Sequence, residues 1–321
     1  MRVLSIILII CLLFGSCSFL PRNSYTETQF LLDTVCTIEA GGENAEAAVR
    51  SAFDEISKIQ KKVNFYDENS LVSTFNKMDA NQELSLDKDT FLIIKTCLDI
   101  SAASHGAFDI TVASITEIWD FKEKHIPTQK EIEDSLENVG YEKLVLDEEN
   151  GTLLKKHNDI KIDLGGAAKG YCADVAVDIL KQHGAEYGLI NLGGNIVAFG
   201  KNPKRKDGTW EIGIKKPFST GETYEKTVTV EELGAVVTSG TYERYFYEGD
   251  KLYHHIIDPK TGYPADNNMA GVTIKTSSAL LGDCLSTACL VLGQEKAIKL
   301  MENFDGEIII QRKEFEYALY N

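Results

Sequence analysis

What the sequence of 321 residues lacks already narrows its function. Its seven cysteines include no CxxC pair, so they do not read as a zinc site or a disulfide framework. Positive charge is scarce: 33 Lys and Arg against 49 Asp and Glu leave a net charge of −16, the wrong sign for a nucleic-acid footprint. Past the N-terminus no apolar run is long enough to span a bilayer. There is no Walker loop, internal repeat, low-complexity block or long linker. The remainder, 43% hydrophobic and 26% charged, has an ordinary globular composition and suffices for one large domain or two small ones.

The N-terminus is of another kind. Arg2 precedes an apolar run, Val3 to Phe14, too short for a comfortable span, and Leu-Phe-Gly-Ser leads into Cys17. This resembles a bacterial lipoprotein signal: residues 1–16 cleaved, lipid on the Cys17 sulfur, 17–28 a tether and 29–321 one domain. A cysteine directly after Gly-Ser favours that over an ordinary secretory signal. The expected product is exported and lipid-anchored to a bacterial membrane, facing the periplasm or the cell exterior. Cys36, Cys97, Cys172, Cys284 and Cys289 remain, an odd number, and read as small buried apolar residues.

Periodicity predicts a strand over 30–40, an amphipathic helix over 45–63, a helical turn at 71–76 and a helix over 89–104. A helix at 128–139 and a hairpin at 145–156 follow, then a strand end at 161–164 and a helix from Ala167 to Gln182. Strands are expected at 188–200 (two), 210–215, 226–230 and 271–275, a helix at 277–292, and a last edge strand at 315–320.

Several stretches carry chemistry. Gly234 to Asp266 runs from a buried strand, Ala235–Val237, through Thr238-Ser239-Gly240-Thr241, read as a turn whose N–H groups can face an anion. Aromatic residues and a hairpin around Gly249 then lead to His254-His255-Ile256-Ile257, stopped by Asp258-Pro259. One histidine alone is most often a satisfied core residue; the coincidence of His pair, hydroxyl turn and Asp-Pro turn favours a site. At 161–169, strand end, Gly165-Gly166 and helix present free N–H groups and a positive dipole end to phosphate, with Lys169 one turn in. Gly106-Ala107-Phe108-Asp109 fits a wall for a flat ring. Asp283 and Thr287, one turn apart on a helix, form an oxygen pair suited to magnesium, although a bare i, i+4 pair is weak by itself.

GAFDITV (106–112), DLGGAAKGYCAD (163–174), TSGTYERYF with YHHIIDPKTGYPA (238–265) and GDCLSTACLVLG (282–293) come in the order of the ApbE family, the FAD:protein FMN transferases, which the chain resembles over nearly all its mature length. The resemblance implies an α+β fold, an antiparallel sheet with packed helices around a T-fold-like core. It implies FAD as substrate, with flavin-side contacts at Leu32, Tyr66, Ala107, Phe108, Asp109, Asp163, Lys169 and Ile257. Ser239 belongs to the phosphate turn. Mg²⁺ would sit on Asp283 and Thr287 with a carbonyl of the glycine turn, Gly166, and His255 or Asp258 would assist the attacking hydroxyl. Two positions depart from the family pattern: Leu32-Asp33-Thr34 where relatives carry Met-Gly-Thr, and Ser286 where some carry a second carboxylate.

The reaction so implied moves FMN from FAD to a threonine hydroxyl of an acceptor protein and releases AMP. A magnesium-dependent FAD pyrophosphatase would use nearly the same residues with water as acceptor. A non-catalytic flavin-binding lipoprotein would bind FAD without needing Asp283 or His255.

Overall fold

The computed structural model describes residues 23–221 and 223–313. Its centre is a seven-stranded sheet, antiparallel at every pairing: β1 Ser24–Leu31, β2 Thr34–Gly41, β3 Tyr187–Leu192, β4 Asn195–Phe199, β5 Leu233–Gly240, β6 Met269–Thr276 and β7 Glu307–Arg312. The strands lie side by side in chain order, so the sheet is a meander whose connections have been expanded into everything else.

Strand alternation divides the chemistry between two faces. On β3, β4 and β5 the side chains of Ile190, Leu192, Val197, Phe199, Ala235 and Val237 enter the main core. Their neighbours Tyr187, Leu189, Ile196, Ala198 and Val236 pack on the other face, under the hairpin Trp210–Lys215/Tyr224–Val230. The main core is roofed by α1 (Ala45–Val63), α2 (Lys88–Ala103), α3 (Ala168–Gln182) and α4 (Ala279–Leu292). α1 buries Ala48, Val49, Ala52, Phe53, Ile56 and Ile59, the stripe its periodicity predicts. α2 buries Ile93, Ile94, Cys97 and Ile100, while Ala102 is exposed. All five described cysteines are free and buried.

A third, smaller cluster joins the excursion after α2 to the turn after the histidines. Ile115, Trp119, Ile132 and Ile257 pack together, and Trp119 Nε1 donates to the Gly262 carbonyl at 3.0 Å. Gly262 has φ 72°, and a Cβ there would lie 2.5 Å from Ile132. This cluster fixes the hairpin Tyr245–Glu248/Lys251–His254 from which His255 emerges.

The structure redraws four sequence expectations. The single strand over 30–40 is a hairpin, β1–β2, turning at Leu32 and Asp33, and residues 24–28, read as tether, are the first part of its edge strand. Their exposed–half-buried alternation is a strand pattern that polar composition conceals. Residues 161–164 form no ladder; the Asn76 amide holds Ile162 through both its N–H and its carbonyl, at 2.8 and 3.0 Å. Residues 238–240 are strand, not turn: Thr238, Ser239 and Gly240 pair with Thr273, Val272 and Gly271, so their backbone groups belong to the ladder. The edge strand expected at 315–320 lies outside the described residues.

Candidate active site

The expected site residues gather where the β1–β2 turn, the β5 end and the N-termini of α3 and α4 approach one another. Alternation on β5 decides which hydroxyl serves. Thr238 bonds Thr273 on the neighbouring strand, whereas Ser239 points at α4 and meets Ser286 Oγ at 2.8 Å and Thr287 Oγ1 at 2.9 Å. Ser239, expected in a phosphate turn, thus stands beside the candidate metal pair. Ser286 also donates back to the Asp283 carbonyl at 3.1 Å.

Asp283, one turn before Thr287, is only 3% exposed. Its Oδ2 accepts the Gly170 N–H at 3.0 Å, one of the first-turn donors of α3 that no intrahelical carbonyl can satisfy. Lys169 Nζ stands 3.7 Å from the same oxygen and 3.3 Å from the Gly165 carbonyl. Gly166, the expected carbonyl ligand, lies against Phe108: a Cβ there would come within 3.2 Å of the ring. These contacts bring Gly165, Gly166, Lys169, Asp283, Thr287 and Ser239 into one constellation drawn from α3, α4 and β5.

Asp163 hangs at the entrance to α3 with Oδ1 accepting the Gly165 N–H at 2.8 Å. Burial pushes its carboxyl up, opposed by that N–H and by the charges of Arg244 and Lys169. Tyr66 stands 87% exposed on the loop after α1, with Asp163, Arg244 and Asp33 as charged neighbours. Leu32 and Asp33 both adopt left-handed backbone, φ 53° and 57°, a conformation that favours glycine. The Leu32 N–H is held by Gln60 Oε1 at 2.6 Å.

The two histidines have opposite assignments. His254 is 1% exposed; its Nδ1 accepts the Ile256 N–H at 3.3 Å, so Nε2 carries the proton and donates to the Ala265 carbonyl at 3.1 Å. It is the satisfied structural histidine, held down to about 4 by burial. His255 is half-buried, and its Nδ1 faces the Arg244 carbonyl at 3.3 Å. A carbonyl only accepts, so the neutral ring carries its proton on Nδ1 and leaves the Nε2 lone pair available. Burial first, then the Arg244 charge, His254 and Lys169, hold it down to about 3, so it is neutral at pH 7.

The remaining expected residues are held by contacts of their own. Asp109 is buried with both oxygens occupied: Oδ1 by the Thr111 N–H and hydroxyl, at 2.8 and 2.6 Å, and Oδ2 by the Tyr141 N–H at 2.8 Å. Ala107 and Phe108 are buried beside it, the Phe108 ring beneath Gly166. Ile257 belongs to the third core cluster. Asp258 closes the turn: its Oδ1 accepts the Lys260 N–H at 2.9 Å, its carbonyl accepts from Gly262, and no hydrogen bond joins it to His255 among the described residues.

Arg244 went unnoticed in the sequence. It is exposed, and its charge, like that of Lys169, acts on His255 and Asp163, and it acts on Tyr66 as well. The signal was the short-range one: in a hairpin, residue 244 sits across from 255, and the His255 N–H indeed bonds the Arg244 carbonyl at 3.1 Å. With Lys169 it sets positive charge among Asp283, Asp163 and Asp33 in a protein that is acidic overall.

Comparison with known proteins gives a consistent answer. The profile of the ApbE family matches residues 32–310. The FAD:protein FMN transferase of Klebsiella pneumoniae is 31% identical over 274 residues, 84% of each chain. That of Treponema pallidum is 28% identical over 318 residues, 93% of this chain and 88% of its own. Among solved structures, the ApbE protein of Thermotoga maritima superposes with a TM-score of 0.81 at 32% identity, covering 91% of this chain and 97% of its own. The flavin transferase ApbE of Vibrio cholerae gives 0.78 at 26% identity, covering 92% and 95%.

Proposed function

The chain belongs to the ApbE family of flavin transferases, and we propose that it moves FMN from FAD to a threonine hydroxyl of an exported or membrane protein, with Mg²⁺ held at Asp283. The observation that carries this reading is the buried Asp283 carboxylate, set on the α3 N-terminus beside Lys169 and next to the Ser239–Thr287 hydroxyls.

The donors fit the metal. Carboxylate, hydroxyl and carbonyl are hard oxygens, and Mg²⁺ takes a few of them while keeping its waters. Asp283 and Thr287, with the Gly166 carbonyl, would hold it. Ser286 is tied to Ser239 and to the Asp283 carbonyl, which supports one cation at this place. When bound, the ion neutralises charge on the pyrophosphate.

The remaining steps fall to the chain's own residues. FAD's pyrophosphate would lie between Lys169, Arg244 and the α3 N-terminus, with the flavin toward Leu32, Tyr66 and the 107–109 segment. The threonine Oγ attacks the phosphorus that bears the riboflavin. The bond from that phosphorus to the bridging oxygen breaks, and AMP leaves with the oxygen. The hydroxyl proton goes to the free Nε2 of neutral His255. Arg244 and Lys169, the cations that depress His255, are those the pyrophosphate would neutralise, so substrate binding makes the base stronger. Asp258 supports this by shaping the turn behind His255.

Residues 1–22, Cys17 among them, lie outside the described residues, and no described helix is long and apolar enough to cross a membrane. We place the protein on a bacterial membrane through lipid on Cys17, facing the periplasm or cell exterior. Cys17→Ser would then leave an exported protein in the soluble fraction; unchanged membrane association would mean another anchor.

The test of the chemistry is to incubate FAD, Mg²⁺ and a threonine-bearing peptide of an acceptor protein. AMP and a phosphoester-linked flavin on that threonine are expected. AMP formed equally with and without acceptor, and no covalent flavin, would establish a pyrophosphatase instead.

A further inference from the structure

Asp174 lies in the middle of α3, away from the reacting groups, and ends the 163–174 motif without a part in the chemistry. Its Oδ1 accepts the Ala279 N–H at 2.8 Å, and its Oδ2 accepts the Leu280 N–H at 3.0 Å and the Ser278 hydroxyl at 2.9 Å. It therefore caps α4 from outside, satisfying two first-turn donors that α4 cannot satisfy itself. The reverse contact is one turn along each helix. Asp283, four residues after Ala279, accepts the N–H of Gly170, four residues before Asp174. Residues four apart share a helix face, so each helix presents to the other one carboxylate and one bare N-terminal turn. At the crossing the backbones touch: a Cβ on Gly170 would lie 2.2 Å from the Ala279 carbonyl oxygen and 2.8 Å from Leu280 Cα.

We propose that Asp174 is a positioning residue of the active site: this reciprocal cap, closed at Gly170, holds the first turn of α4 against α3 and so fixes where Asp283 presents its carboxylate. The clamp stands on the hydrogen bonds alone; its consequence for magnesium rests on the reading of Asp283 given above. Losing Asp174 frees α4 to pivot about the Gly170 contact, and Asp283 moves with it. Gly170 is irreplaceable for the same reason, because any side chain there forces the two helices apart.

The experiment uses the full chain with Asp174→Ala, the isosteric Asp174→Asn, Gly170→Ala, and Asp178→Asn as a surface control one turn away. Amide hydrogen exchange at Gly170, in metal-free protein, reads the clamp directly, since Asp174 does not itself bond that N–H. Asp174→Ala and Asp174→Asn should speed it about tenfold, the loss of a charge-assisted hydrogen bond, while exchange in β3 and β4 stays unchanged. In AMP release the Mg²⁺ midpoint should rise about tenfold in the same variants, with metal-free FAD binding, followed by flavin fluorescence, within about twofold. Unchanged Gly170 exchange in Asp174→Asn would overturn the proposal, as would acceleration spread evenly over the sheet, which would mean a merely structural role. Asp283→Ala runs alongside. If it keeps magnesium-dependent turnover, the metal reading fails while the exchange result still decides the clamp; if it is dead but the Asp174 variants keep the wild-type midpoint, the positioning role fails alone.

Discussion

Two parts of the candidate site are built on opposite physical principles. Around α3 and α4 the polar groups are buried or half-buried and paired: Asp283 and Asp174 each cap the other's helix, and Ser239, Ser286 and Thr287 share their hydroxyls. The other part holds Tyr66, 87% exposed, the exposed Arg244, and a hairpin turn of two left-handed non-glycine residues. Misplacing a charge costs most where water is absent, so the carboxylate side is locked. In the proposed reaction a flat ring and an incoming protein need access, and the more open part offers it at the cost of strain and exposed aromatic surface.

The comparison breaks most sharply at Asp283. Asp283→Ala should abolish AMP formation at any Mg²⁺ concentration, while the lost cap costs about 0.5–2 kcal/mol, a modest shift in Tm. Turnover near wild type at saturating Mg²⁺ would remove Asp283 from the metal site. His255→Ala, at the junction of the two sides, should slow transfer by about 10²–10⁴-fold and leave FAD binding intact. His254→Ala should do the reverse, lowering stability through the buried Ala265 and Ile256 partners it strands. If both substitutions cost only stability, neither histidine is the base.

The pH dependence separates structure from catalysis. His254 is held down to about 4 when folded against an ordinary 6.5, so the unfolded chain binds the extra proton between those values. Its contribution, about 3 kcal/mol from the shift, is fully present above pH 6.5 and is lost as pH falls to about 4. Chemical denaturation from pH 7 to 4.5 should show that decline, to which His255, also held down, adds, and His254→Gln should remove the His254 share of it. The smallest effect belongs to the open side. Asp33→Gly relieves left-handed backbone at φ 57° and should change stability by no more than about 1 kcal/mol, toward greater stability. A loss of stability would mean that the Asp33 side chain contributes more than its backbone costs.

Much of this protein was legible from residue order alone. α1 spans the residues its apolar spacing predicts, the hairpins at 144–155 and 187–199 fall where turn residues place them, and the Asp283–Thr287 pair follows from one helical turn. Such features depend on covalent spacing, which fixes the period of a helix or strand before any packing occurs. Which histidine keeps a free nitrogen, that Ser239 and not Thr238 faces α4, that Asp109 is fully occupied and that Asp258 closes a turn were settled only by the fold. Each depends on a partner brought from elsewhere by packing, as Asp174 meets Ala279 across 105 positions and Asp283 meets Gly170 across 113. Local spacing decides what a residue can offer; the hydrogen-bond partner that accepts the offer is chosen by the sheet and helices that carry both.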